Sequence, residues 1–164
     1  MFAKRLAAFT ILALGIVPVI GVVQASAAGS TQVLKFRSAN QTYAGVGFNI
    51  NDPNAVPPVG SQFIIHLILK NGAPQFGMPT GAPVGRVLLD CTFLTSGGFN
   101  GADGICSGIA HVPDGYITFD GNGGFSNANV NYYAITGGVG HYANDRGQIR
   151  TSKGGGAIVT LYSP

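Results

Sequence analysis

The sequence predicts an all-β domain, a sandwich or a barrel, and three observations carry that prediction. Beyond Gly29 no stretch shows a helix-length amphipathic pattern. Short runs rich in Val, Ile, Phe, Tyr and Thr recur instead between clusters of Gly, Asn, Pro and Asp, as strands and turns require. Composition agrees: 26 glycines and nine prolines punctuate 164 residues, and only 9% are charged. A charged fraction so far below the usual quarter argues against a coiled coil, a long solvated helix or a disordered tail. The length allows one domain.

Residues 1–28 read as a signal peptide and residues 29–164 as the domain. Lys4 and Arg5 supply a short positive region, Leu6 through Val23 are almost wholly apolar, and Ala25-Ser26-Ala27-Ala28 offers the small residues a signal peptidase accepts. Cleavage after Ala27 or Ala28 fits equally well. The competing reading is an uncleaved anchor, which Gly15, Pro18 and Gly21 weaken as a permanent helix. The expectation is a secreted protein, extracellular or periplasmic, with no membrane partner once the signal is removed. Without that segment seven cations face six aspartates, a net charge of +1. The cations are scattered along the chain, so the basic isoelectric point gives no case for nucleic acid.

The expected strands follow in order: Thr31–Arg37, Tyr43–Ile50, Gln62–Lys70, Arg86–Leu94, Ile105–Val112, Tyr116–Asp120, Asn131–Thr136, Gln148–Ser152 and Ala157–Tyr162. Two connections are long and proline-bearing, Asn51–Ser61 and Asn71–Gly85. Pro113-Asp114-Gly115 reads as a tight turn. Val139–Asn144 has room for a single helical turn. No repeat and no second domain is visible.

Side-chain alternation says more. Along Gln62–Lys70 both faces are apolar, with Phe63, Ile65, Leu67 and Leu69 on one and Ile64, His66 and Ile68 on the other, which suggests a strand covered on both sides. Along Arg86–Leu94, Val87, Leu89, Cys91 and Phe93 share one face and Arg86, Leu88, Asp90 and Thr92 the other. His66 and Asp90 are thus single ionisable groups on mostly apolar faces, as a partly polar barrel lumen or a surface patch would have. In an oxidising compartment the two cysteines, Cys91 and Cys106, most simply form one disulfide.

The order of motifs then carries a resemblance. Gly60-Ser61-Gln62-Phe63 opens a strand, and Pro83-Val84-Gly85-Arg86 leads to Asp90-Cys91. His111-Val112-Pro113-Asp114-Gly115-Tyr116-Ile117 follows the second cysteine, and Ala134-Ile135-Thr136-Gly137-Gly138-Val139-Gly140-His141-Tyr142 runs on to Arg146-Gly147. From about Gly60 to the C-terminus this resembles the bacterial members of the allene oxide cyclase-like and dirigent-like β-barrel group. The chain departs from that pattern at Ser61, Val139 and His141. The resemblance implies an eight-stranded antiparallel β-barrel with an apolar cavity, often oligomeric, so a homo-oligomer is among the partner expectations. In plants such barrels cyclise a fatty-acid epoxide or steer the coupling of phenoxy radicals. Both tasks hold a flexible apolar molecule in one shape and need little acid–base machinery.

Other chemistry leaves little trace in the sequence. There is no glutamate, no Gly-x-Ser-x-Gly elbow, and no metal spacing among His66, His111 and His141. Gly137-Gly138-Val139-Gly140 lacks the Lys-Ser/Thr and the βαβ setting of a phosphate loop. Asn40-Gln41-Thr42 is a glycosylation sequon. The ligand-binding candidates are His66, Leu88, Asp90, Thr92, Tyr133 and Arg146. His66 is either a lumen proton shuttle or a satisfied structural histidine. Asp90 is a lumen carboxylate, or else an ion-pair partner of Arg86 or a backbone anchor beside the disulfide. Arg146 binds a ligand anion or forms a barrel-end ion pair. Tyr132 and Tyr133 point to opposite faces, so only one can line a cavity. Leu88, Asp90 and Thr92 share the more polar face of their strand and are expected to face the lumen, as in a binding site with a few placed polar groups, with Leu89 and Cys91 facing away. The rival assignment buries Val87, Leu89 and Phe93 inside a ligand-free barrel and leaves Asp90 in solvent.

The functional expectation is a lumen that binds a small apolar or aromatic molecule and guides its cyclisation or coupling, with no cofactor and no metal. The competing expectation is a non-enzymatic secreted binding or surface protein that keeps only the barrel. Convergence of His66, Asp90 and Arg146 would mark the enzyme, and a weakly polar lumen the binder.

Overall fold

The computed structural model describes residues 29–164 except Pro53, residues 98–101 and residues 125–129. The expected signal peptide therefore lies outside the described residues. Among the described residues are eight strands: β1 (Thr31–Val46), β2 (Gln62–Asn71), β3 (Pro83–Phe93), β4 (Asp103–Val112), β5 (Gly115–Gly124), β6 (Val130–Gly140), β7 (Arg146–Ser152) and β8 (Gly156–Tyr162). Each pairs antiparallel with its neighbours in sequence, and β1 closes the ring against β8. Of sandwich and barrel, the chain adopts the barrel.

Nine runs in the sequence become eight strands because the first two are one. Thr31–Arg37 pairs with β8, whereas Phe36–Val46 pairs with β2, so β1 needs its 16 residues to reach both neighbours. The polar stretch between the two halves reads as a turn but is a bulge. The register slips between Ala39 and Thr42, and Asn40 adopts a φ of 49°, a left-handed conformation that Asn tolerates better than most residues. The segment read as a helical turn is instead a run of tight turns, with the Ala143 N–H donating to the Gly140 carbonyl at 3.2 Å.

The interior is filled by one parity of each strand. Leu34 and Phe36, Phe63 and Leu69, alternate residues of β3 from Val87 to Phe93, Ile117 and Phe119, and Val159 and Leu161 are all buried in one cluster. The other parity forms the outer wall and is left to solvent. The expectation that β2 is covered on both faces is not met, since Ile64 on its outer side is 37% exposed. A single closed sheet has no second layer to cover that face.

The two ends of the barrel are covered differently, the first only in part. At one end the disulfide Cys91–Cys106 joins directly paired residues of β3 and β4, with both sulfurs inside. Gly123 on β5 makes room for it, because a Cβ there would lie 2.3 Å from the Cys106 sulfur. The β1–β2 connection folds over this plug, with Phe48 edge-on to Phe93 at 5.6 Å and the Gly60 N–H donating to the Phe93 carbonyl at 2.8 Å. At the other end the buried amide of Asn71 donates to the carbonyls of Gln75 and Met78 at 3.0 and 3.2 Å and pins the β2–β3 connection. Tyr142 fills the floor there, its hydroxyl donating to the Pro113 carbonyl at 3.0 Å.

Two stability predictions follow from these closures. Replacing both cysteines by alanine should lower the unfolding free energy by about 3 kcal/mol, from loss of the loop constraint on the unfolded chain. An unchanged urea midpoint would show that the link contributes nothing. Burial, with the nearby Asp114 and Asp145 carboxylates, pushes the Tyr142 phenol up to about 12 from 10.0. The folded state thus prefers the protonated phenol, and the unfolded chain ionises first. The contribution of this group is full below pH 10 and should be lost between about pH 10 and 12. Melting temperature against pH should fall less steeply across that window in Tyr142→Phe than in the parent.

Candidate functional site

The barrel is not completely filled. A cavity of about 210 Å³ lies within it, walled by Ile65, Leu67, Val87, Leu89, Ile117, Phe119, Ile149 and Val159 among others. Small inward residues on β4 help to leave this space. At Gly108 a Cβ would stand 2.5 Å from the Phe119 ring and 3.0 Å from Leu89, so glycine is what lets those two side chains meet across the wall.

The cavity opens beside the β1 bulge and the β7–β8 turn, where Ser38, Gln41, Tyr43, Thr151 and Gly155 line it. The Gln41 side-chain amide donates to Ser38 Oγ at 2.9 Å, and the Tyr43 hydroxyl donates to Gln41 Oε1. The Ser38 N–H donates to the Gly155 carbonyl at 2.7 Å and so fastens the turn to the bulge. Tyr43, itself 49% exposed, stacks on Phe63 with ring centroids 5.5 Å apart. The mouth is thus a hydrogen-bonded collar on an aromatic base, and the interior below it is apolar.

One polar group lies deeper. Tyr133 is 7% exposed, packs edge-on to Phe119 at 5.6 Å and lines the cavity. Gly121 opposite it supplies clearance, because a Cβ there would fall 2.7 Å from the tyrosine ring. The hydroxyl makes no hydrogen bond to another described residue. Burial raises its pKa, so it stays protonated and is available as a donor. None of the lining side chains is charged.

The other sequence-derived candidates fall elsewhere. Leu88, Asp90 and Thr92 lie on the outer wall of β3, and Leu89, Cys91 and Phe93 fill the barrel, the reverse of the expected facing. The reason is dehydration. A closed barrel has one dry side, and the face without Arg86 and Asp90 is the one that can occupy it cheaply. Asp90 forms no ion pair with Arg86. It borders instead a shallow outer depression with Ile64, Leu88 and Ile109. His66 is half-buried on the outer wall opposite Leu88. Arg146 is exposed at the start of β7 and donates to the Asp145 backbone carbonyl at 2.8 Å, not to a carboxylate. His66, Asp90 and Arg146 therefore do not converge in the lumen. Tyr133 points inward and Tyr132, 56% exposed, outward. Among the described residues no group of three His, Cys, Asp or Glu is placed to share a metal ion.

The sequence did not indicate Ser38, Gln41, Tyr43 and Thr151 as lumen groups. The signal available for Ser38 and Gln41 was the polar interruption Ser38–Thr42 inside an otherwise strand-like stretch, which marks a bulge as well as a turn.

Fold and cavity together define a class: a closed antiparallel eight-stranded barrel whose apolar interior is reached from one end. No protein-family model matches the sequence, and no curated protein matches it. Solved structures do. A pyocyanin demethylase superposes with a TM-score of 0.56 at 22% identity, over 80% of this chain and 98% of its own. An exo-specific intermolecular Diels-Alderase gives 0.58 at 15% identity over 82% and 98%, and a pterocarpan synthase dirigent protein 0.56 at 15% over 83% and 85%. At these identities the likeness is one of fold. At that level, the dirigent- and cyclase-like barrel implied by the sequence motifs is the architecture found.

Proposed function

We propose that the barrel binds a small, uncharged, apolar or aromatic molecule in its lumen, and that any reaction it directs is steered by shape. The observation that supports this most is the cavity of about 210 Å³ with no charged side chain in its lining. An engineered apolar cavity of roughly 150 Å³ stays dry and takes up benzene, so this lumen has room for a larger ring system. A ligand that cannot shed a charge would meet no counter-charge there and would lose its hydration. Tyr133 offers one hydrogen bond to a ligand acceptor, and the Ser38–Gln41–Tyr43 collar offers others at the mouth.

A catalytic reading is supported by the fold shared with a Diels-Alderase and a dirigent protein. Holding a flexible molecule in one reactive conformer favours one ring closure or coupling over the alternatives without an acid, a base or a cofactor. The weakly polar lumen fits a binding protein equally, and both readings share the same first step. Export belongs to the proposal, because the Lys4–Ala28 segment has the form of a cleavable signal.

Binding is tested with a matched pair of uncharged probes, 2-ethylnaphthalene and 2-acetylnaphthalene, on protein beginning at Gly29. The ketone should bind about tenfold more tightly, through one hydrogen bond in a dry site. Tyr133→Phe should abolish that preference and leave the affinity for the hydrocarbon intact, whereas Asp90→Asn on the outer wall should change neither. If neither probe binds, the lumen reading fails. If both bind equally to parent and variant, only the role of Tyr133 fails. For export, N-terminal sequencing of secreted material should find Ala28 or Gly29 first, and Met1 there would refute cleavage.

A further inference from the structure

Barrel closure gathers cations that the sequence scatters. β2, β1, β8 and β7 lie side by side and carry Lys70, Lys35, Arg37, Arg150 and Arg146, while the β7–β8 turn adds Lys153. None of the six aspartates falls on these four strands. Lys35, Arg37 and Arg150 point outward because Leu34, Phe36 and Ile149 between or beside them point in. The register sets them in rows: Lys35 opposite Ile158 and Ile158 opposite Arg150, with Arg37 directly opposite Lys70. Gly72 and Gly156 leave a shallow groove of about 210 Å³ bordered by Lys35, Arg37 and Arg150. Like charges opposite one another on a sheet repel, and no carboxylate of the described residues pairs with them. Such an arrangement is relieved by an anion from outside.

We propose that this wall docks the protein on an anionic phospholipid surface. Charge complementarity is the first argument, since each Lys or Arg near an anionic leaflet strengthens binding several-fold. The second is what stands between the cations. Val33, Ile158 and Tyr162 are 51%, 37% and 50% exposed, and side chains of this kind seat at a headgroup boundary but gain little against a phosphodiester backbone. The third is the lumen mouth. Ser38, Thr151 and Gly155 belong to or adjoin the same strands, so a docked barrel holds its opening close to the phase in which apolar molecules concentrate. Asp120, on the outer face of β5, lies away from this wall and would be repelled by the same surface, which favours that orientation. The sequence alone gave no membrane partner. The reason for one appears only when β1, β7 and β8 are brought together.

The test is co-sedimentation of protein beginning at Gly29, whose eight strands close without the preceding segment, with phosphatidylcholine vesicles that contain or lack about one quarter phosphatidylglycerol. Binding should require the anionic lipid and weaken steeply as salt shortens the screening length. The triple substitution Lys35→Gln, Arg37→Gln, Arg150→Gln should weaken it roughly a hundredfold, while Ile105→Gln on the outer face of β4, across the ring from β1 and β8, should leave it unchanged. Equal binding to neutral and anionic vesicles, or equal loss in the Ile105 variant, would overturn the proposal. So would tighter binding to duplex DNA than to vesicles, or a stable oligomer that the triple substitution dissociates.

Discussion

The interior of this barrel is dry on one side of a single sheet, and most of the structure follows from which residue of each pair must face it. A strand presents alternate side chains to opposite faces, so one choice of parity commits the whole strand. On β3 that choice puts Val87, Leu89, Cys91 and Phe93 together inside, and it places Arg86, Leu88, Asp90 and Thr92 together outside. Cross-strand pairing then transmits the choice: Cys91 inside requires Cys106 inside, and the disulfide becomes a plug within the core. The same rule gives the cavity its apolar walls and the outer surface its charges.

Most strands were legible because their apolar runs and turn residues agree with the fold locally. The failures have a common physical origin. Alternation identifies two faces but does not label them, and a strand such as β2, apolar on both, gives no asymmetry to read. Asp90 was assigned to the lumen on the view that a binding site contains its polar groups. Desolvation argues the other way, because an unpaired carboxylate in a dry barrel costs more than a ligand contact returns. His66 moves outward with the register that pairs it with Leu88. Tyr133 could be placed only as one of two neighbours on opposite faces, and the buried ring of the pair is the one that can shelter against Phe119.

The bulge in β1 shows how one irregularity supplies several features at once. Before it, Leu34 and Phe36 point inward; beyond it, Tyr43 lines the cavity. A regular strand would have kept the first parity and sent Tyr43 outside. The inserted residue resets the alternation while β1 stays paired with β2 on both sides of it, so Ser38 ahead of the bulge and Gln41 and Tyr43 at or beyond it all line the opening. Because the Ser38 N–H holds the Gly155 carbonyl, the mouth is built on paired backbone and does not depend on free loops alone.

The apolar lumen also limits the chemistry that the proposed reading allows. An active site accelerates a reaction only through interactions that are stronger in the transition state than in the ground state. A step that develops a full charge would find no lysine, arginine, histidine or aspartate in this lining to stabilise it, and it would have lost its water. A ring closure or radical coupling whose charge stays dispersed suffers no such loss, and it gains from being held in one conformer. A single protonated phenol can add selectivity by fixing one end of the ligand. Tyr133, kept neutral by its own burial, is placed to do that whether the molecule reacts in the lumen or is only carried there.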